Sequence, residues 1–286
     1  MTGVSTFRSA AGERRYLELY DRAMRECPPP DAVHDVETRH GTTRVHRFGD
    51  PAAPPLVLLP GLMAASPALA PLIPALAAHR ALHTVDMLGE AGRSVHRRPF
   101  ADLADRARGL DEVLGALGLD RVHVAGASSG GWHAFQLAVH APDRLTAVTL
   151  LDPTTLTAGY ARAVLWRGAV AGLLGTERAW RWFVRWSAGT DLTDRPEVAL
   201  LLAGVRHYRP RVPFQRPPAD EEISSVTVPV TALFGGRSVV HDSALAAHRL
   251  RTLLPHSDVE VLPDAGHDVH LRPADRDVVV DRLLRR

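Results

Sequence analysis

The residues with the plainest chemical meaning are Gly126-Ala127-Ser128-Ser129-Gly130. An apolar run, Val122 to Ala125, precedes them, and a helical pattern from Trp132 to His140 follows. A serine with glycines two residues to either side, set between a strand and a helix, is the pattern of a nucleophile on a sharp turn. Such a turn strains the backbone at Ser128, and small residues at 126 and 130 let strand and helix nearly touch. The hydroxyl then projects clear of the sheet, over a helix N-terminus. A Gly/Ser loop that binds phosphate through its amides is the competing reading. A dinucleotide fingerprint would need glycine where Ser128 stands. No acidic ribose-binding residue follows at the right distance before Asp152.

Composition removes several other chemistries. All 34 basic residues are arginine, so Schiff-base chemistry and a lysine-dependent phosphate loop are both excluded. The single cysteine, Cys27, offers neither a redox pair nor a disulfide framework. No pair among the 15 histidines has a metal-ligand spacing such as H-E-x-x-H. No metal and no cofactor are therefore assigned. The net charge of +2 is spread along the chain. The one arginine-rich stretch, Arg206 to Arg216, is broken by prolines and reads as a solvated loop rather than a nucleic-acid footprint. No window holds about 18 uninterrupted apolar residues, so no membrane span is expected. Met1 to Ala10 lacks the basic and apolar regions of a secretory leader, which makes the cytoplasm the expected location.

The elements that must position Ser128 can be read from periodicity. With 286 residues, 45% of them hydrophobic, the chain can bury a core without a metal or disulfide staple. Gly12 to Arg25 reads as an amphipathic helix that Pro28-Pro29-Pro30 stops. Val33 to Arg39 and Thr43 to Phe48 alternate around Gly41 as a hairpin. Leu56 to Leu59 is wholly apolar, the mark of a strand buried on both faces. Further strands are expected at Ala81 to Val85, Val122 to Ala125, Leu145 to Leu151, Val228 to Phe234 and Val259 to Leu262. Helices are expected at Pro71 to Ala78, Asp102 to Leu117, Trp132 to His140, Ser243 to Leu254 and Asp275 to Leu284. Strands alternating with helices imply a mostly parallel central sheet covered on both faces. Residues 153–226 show no strand alternation and hold four of the five tryptophans. They read as a helical insertion above that sheet.

On these residues the chain resembles the α/β-hydrolase superfamily over nearly its whole length, in its serine-nucleophile, capped, esterase-like branch. Leu59-Pro60-Gly61-Leu62 stands where that family usually reads His-Gly and supplies an oxyanion amide. Asp86-Met87-Leu88-Gly89-Glu90-Ala91-Gly92-Arg93-Ser94 is similar to its D-x-x-G-x-G-x-S turn, with one extra residue. The tryptophan-rich insertion lies where the family has its helical cap, and Gly266-His267 follows a short strand and Pro263 as its catalytic histidine does. The order serine, acid, histidine also agrees. The resemblance implies an α/β-hydrolase fold, divided into an N-terminal helical extension (1–30), a core (31–152 and 227–286) and a cap (153–226).

It further implies Ser128 as nucleophile and His267 as base, with His270 a neighbouring substitute. The acid departs from the pattern. The family most often places it after the strand matched here by Val228 to Phe234, where Gly235-Gly236-Arg237-Ser238 ends in a serine. Asp152 is the preferred candidate, at a position that certain haloalkane dehalogenases use. Asp242 is the alternative, and a histidine oriented only by a carbonyl or water is a third possibility. Asp152 before Pro153 could instead start a turn, and Asp242 could cap a helix from Ser243.

The amides of Leu62 and Ser129 are the expected oxyanion donors. Met63, Trp132, Trp166, Trp182 and Trp186 are candidates to line a pocket for an apolar acyl or alcohol group. Tryptophans at helical spacing also suit plain packing. The implied activity is cofactor-free hydrolysis of a small-molecule carboxylic ester or related acyl compound through an acyl-enzyme. Ser128 argues against the branches that need an aspartate nucleophile. Ser238 and Pro60 keep a ligand-binding or degenerate hydrolase open, and acyl transfer or a peroxide side reaction would use the same scaffold. Oligomeric state is left open, since the first helix could pack on the core or join two subunits.

Overall fold

The computed structural model describes residues 3–188 and 195–285, so part of the expected cap, 189–194, lies outside the described residues. The chain begins with β1 (Thr6–Phe7), α1 (Ala10–Met24), β2 (Ala32–Thr38), β3 (Gly41–Phe48) and β4 (Pro55–Leu59). It continues through α2 (Ile73–Ala77), β5 (Ala81–Val85), β6 (Val95–His96), α3 (Leu103–Ala116), β7 (Val122–Ala127), α4 (Ser129–His140) and β8 (Leu145–Leu151). Three helices follow: α5 (Arg162–Leu174), α6 (Glu177–Ala188) and α7 (Pro196–His207). The rest is β9 (Tyr208–Arg209), α8 (Asp220–Ser224), β10 (Val230–Gly235), α9 (Ser243–Leu253), β11 (Asp258–Leu262) and α10 (Pro273–Leu284).

The main sheet runs in the order β11-β10-β8-β7-β4-β5-β3-β2, with β6 pairing on β3. From β11 to β5 every pairing is parallel. β3 is antiparallel to both β5 and β2. The parallel part needs cover on both faces, and the side chains provide it by alternation. Val57 and Leu59 of β4 enter one apolar cluster with Val124, Val148 and Phe135. Leu56 and Leu58 enter the other, with Leu69, Ile73, Val279 and Leu283. Successive side chains of a strand point to opposite faces, so a strand buried on both reads as an unbroken apolar run. Side chains of α3, α4 and α9 line the first face; those of α2 and α10 line the second.

Helix starts follow local chemistry. The Asp102 carboxylate caps α3 by accepting the Asp105 N–H at 2.7 Å, and Asp242 caps α9 by accepting the Leu245 N–H at 2.9 Å. α1 lies against α7: Tyr16 and Tyr20 are buried with Met63, Leu200, Ala203 and Tyr208. Residues 153–226 also depart from the strand-free expectation, because β9 pairs antiparallel with β1. Two-residue strands have no periodicity to read; the pairing between distant segments defines them.

Candidate active site

Ser128 stands alone between β7 and α4, with φ 55° and ψ −118°. A serine does not adopt this conformation cheaply, and the surroundings enforce it. A Cβ on Gly126 would lie 2.2 Å from the Gly130 carbonyl, and one on Gly130 would lie 2.3 Å from the Leu59 carbonyl oxygen. Only glycine lets β7, α4 and the end of β4 meet this closely. The Ser128 N–H donates to Leu151 O at 2.8 Å, which fastens the turn to β8. Strand and helix extend further toward the serine than the apolar pattern predicts, to Ala127 and from Ser129. Glycine disfavours both helix and strand, so packing decides here.

The ends of two other strands, β8 and β11, deliver the other groups. β8 ends at Leu151, and Asp152 follows with φ 44° and its N–H on Leu233 O at 2.7 Å. The loop after β11 carries His267. Nε2 of His267 lies 2.9 Å from Ser128 Oγ, and Nδ1 lies 2.6 Å from Asp152 Oδ2. An ionised carboxylate only accepts, so Nδ1 holds the proton and Nε2 is free to accept from the serine hydroxyl. Hydrogen bonds from Gly236 N–H to Leu262 O and from Arg237 N–H to Ala265 O, both 2.8 Å, tie the loop after β10 to the loop bearing His267.

Asp152 is fully buried, and both its carboxylate oxygens have polar partners. Oδ1 accepts the Gly235 N–H at 2.8 Å and lies 3.2 Å from His241 Nε2. Oδ2 accepts the Ser238 hydroxyl at 2.8 Å as well as His267. Burial alone would raise this carboxyl. His241 and His267 beside it outweigh burial and hold it below the usual carboxylate range. Ser238 therefore leaves no gap where the family pattern has its acid, because its hydroxyl reaches the Asp152 carboxylate. Asp242 is exposed and committed to the cap of α9. His270 Nδ1 is buried without a hydrogen-bond partner, and burial, with His267 nearby, pushes its imidazole down to about 3.

Of the expected oxyanion donors, Ser129 follows Ser128 in the chain and Leu62 follows Gly61. Ser129 is the first residue of α4, whose leading N–H groups have no intrahelical acceptor. Its hydroxyl accepts the Gln215 side-chain N–H at 2.7 Å. Gly61, next to Leu62, lies against Ser128: a Cβ there would sit 3.5 Å from the serine Cβ. The expected pocket residues divide. Met63 is buried in the cluster between α1 and α7. Trp132 is wholly buried and donates its indole N–H to Arg216 O at 3.0 Å, a packing role. Trp166, Trp182 and Trp186 do assemble, but around Arg167, whose guanidinium carbon lies 4.8, 4.7 and 4.5 Å from their ring centroids.

The sequence reading missed Gln215, Ser238 and His241 as partners of the site. Gln215 has no local signal, since it meets Ser129 across 86 residues of chain. His241 had one: a histidine directly after the apolar pair Val239-Val240.

The sequence model of the alpha/beta hydrolase family matches residues 56–279. Carboxylesterase YbfK of Bacillus subtilis (strain 168) is 27% identical over 262 residues, which span 88% of this chain and 87% of that protein. The crystal structure of carboxylesterase CesB (YbfK) from Bacillus subtilis aligns with a TM-score of 0.88 at 26% identity, over 96% of this chain and 98% of that one. That of naproxen esterase (carboxylesterase NP) from Bacillus subtilis aligns with a TM-score of 0.89 at 25% identity, over 97% and 99%.

Proposed function

The chain belongs to the α/β-hydrolase family, and from that premise we propose that it is a serine carboxylesterase acting on a small ester. One observation carries the reading: the unbroken hydrogen-bonded path from Ser128 Oγ through His267 to Asp152. The similarity to two Bacillus carboxylesterases supports it. His267 Nε2 takes the serine proton as Oγ attacks the acyl carbonyl. Asp152 holds the imidazole tautomer and stabilises the imidazolium. The amides of Leu62 and Ser129 receive the oxyanion, each contributing on the order of 3 kcal/mol. His267 then protonates the leaving alcohol and activates the water that releases the acid. The described parts of 153–226 act as a cap over the serine and admit an apolar acyl or alcohol group.

Fluorophosphonate labelling tests the assignment, with hydrolysis of a p-nitrophenyl ester measured alongside. Wild type should form an adduct and release p-nitrophenol. Ser128→Ala should do neither. Asp152→Asn should label far more slowly. A folded wild type that neither labels nor hydrolyses would overturn the reading.

A further inference from the structure

Glu90 is a carboxylate in an improbable place. It is 1% exposed and does not belong to the Ser128–His267–Asp152 path. Oε2 accepts the Met63 N–H at 2.8 Å. Oε1 lies 3.1 Å from Nη2 of Arg106, itself 4% exposed, and 3.8 Å from His133 Nε2 on α4. A buried ion pair of this kind is weak evidence for stability, since a well-packed apolar replacement often serves as well. The partner it holds is more informative.

Met63 is the third residue of a four-residue turn, Gly61 to Ala64, closed by the Ala64 N–H on Gly61 O at 3.1 Å. Its φ is 55°, in the left-handed region. Turns with a left-handed third residue favour glycine or asparagine there, and methionine has neither advantage. The charge-assisted bond from Glu90 supplies an external anchor for that conformation. The second residue of the same turn is Leu62, and the first, Gly61, rests on Ser128. The direction of the Leu62 amide is thus set by a turn whose strained residue is tied down by Glu90. Arg106 offsets part of the carboxylate's charge.

We propose that Glu90 is a positioning residue of the active site: its carboxylate fixes the Gly61–Ala64 turn so that the Leu62 amide faces the oxyanion formed on attack by Ser128. This rests on the esterase reading above. The variants are Glu90→Ala, Glu90→Gln and the double variant Glu90→Ala/Met63→Gly. The readouts are kcat and KM for a p-nitrophenyl ester, and the affinity for a trifluoromethyl ketone, which forms a tetrahedral adduct on the serine. Loss of one oxyanion donor costs roughly 10²-fold in kcat.

Glu90→Ala should lose about that much in kcat, and a similar factor in ketone affinity, while KM moves less than about threefold. Glu90→Gln keeps a carbonyl acceptor for the Met63 N–H and should retain most of the rate. Should Glu90→Ala fail to fold, Glu90→Gln and the double variant carry the test. Glycine adopts a left-handed φ unaided, so Met63→Gly should recover activity in the Glu90→Ala background. A purely structural role for Glu90 predicts no such rescue. Full activity in Glu90→Ala, or a folded double variant no better than the single one, would overturn the proposal. An inactive wild type that binds no ketone would instead count against the esterase reading itself.

Discussion

At the residue scale, the acid is the most instructive position. Ser238 occupies the site where the family pattern has a carboxylate, and the carboxylate arrives from the end of the neighbouring strand instead. Ser238 Oγ and His267 Nδ1 converge on one oxygen of Asp152, at 2.8 and 2.6 Å. A carboxylate grown from position 238 would therefore stand close to the same imidazole nitrogen. Asp152→Asn should lower kcat by about 10⁴-fold, chiefly through the wrong imidazole tautomer. Adding Ser238→Asp to that variant should recover about tenfold or more of the loss, on the same tautomer argument. Steady-state kinetics of the two proteins decides this, and equal rates would refute it. The sharp turn at Ser128 was legible because its signal is local: two glycines around a serine, between two regular elements. The contact of Asp152 with His267 was legible only as one of three readings, beside Asp242 and a histidine held by a carbonyl or water, since nothing along the chain says which aspartate meets a histidine 115 residues away. Asp242, the other aspartate, is used by its own helix.

At the element scale, the elbow depends on three backbones meeting where no side chain fits. Gly126→Ala sets a methyl group 2.2 Å from the Gly130 carbonyl, and backbone cannot yield as a flexible side chain can. The expected cost is several kcal/mol, at or above the usual ~1–3 kcal/mol of overpacking. Urea denaturation measures it; a loss below about 1 kcal/mol would show that the contact relaxes. The first helix gives a second case. Its amphipathic stripe is readable, but the stripe does not name its partner. In the structure Tyr16 is 0% exposed, against α7 and Met63. Tyr16→Ala should cost roughly 3–5 kcal/mol, as for other large buried aromatics. A surface helix would lose far less. The short pairing of β1 with β9 was not legible at all. Two residues carry no period, and their hydrogen bonds join segments about 200 residues apart.

At the scale of the whole molecule, buried imidazoles set the response to acid. Burial pushes both His83 and His133 from 6.5 down to about 4. The unfolded chain takes up these protons near pH 6.5, whereas the folded chain takes them up only near 4. Across that window the unfolded state binds more protons, so stability falls as pH drops. Each histidine contributes up to about 1.4 kcal/mol per pH unit. Unfolding free energy should be flat between about pH 7 and 8 and decline below about 6.5. His133→Gln should remove one proton's worth of slope. An unchanged slope in a folded variant would refute the assignment to His133.

The alternating apolar runs, the glycines around Ser128 and the arginine-only basic set were enough to determine a parallel-rich sheet with helices on both faces, a serine on a sharp turn, and the absence of lysine chemistry. Each follows from residues close together in the chain, where periodicity and steric demand act directly. The tertiary structure alone decided which acid meets His267, that Ser238 and His241 support it, that three tryptophans close on Arg167, and that Glu90 anchors the turn beside Ser128. Apart from Trp166 beside Arg167, those contacts join residues more than ten to more than a hundred positions apart. They depend on where strand ends fall across the sheet, and spacing along the chain does not encode that distance.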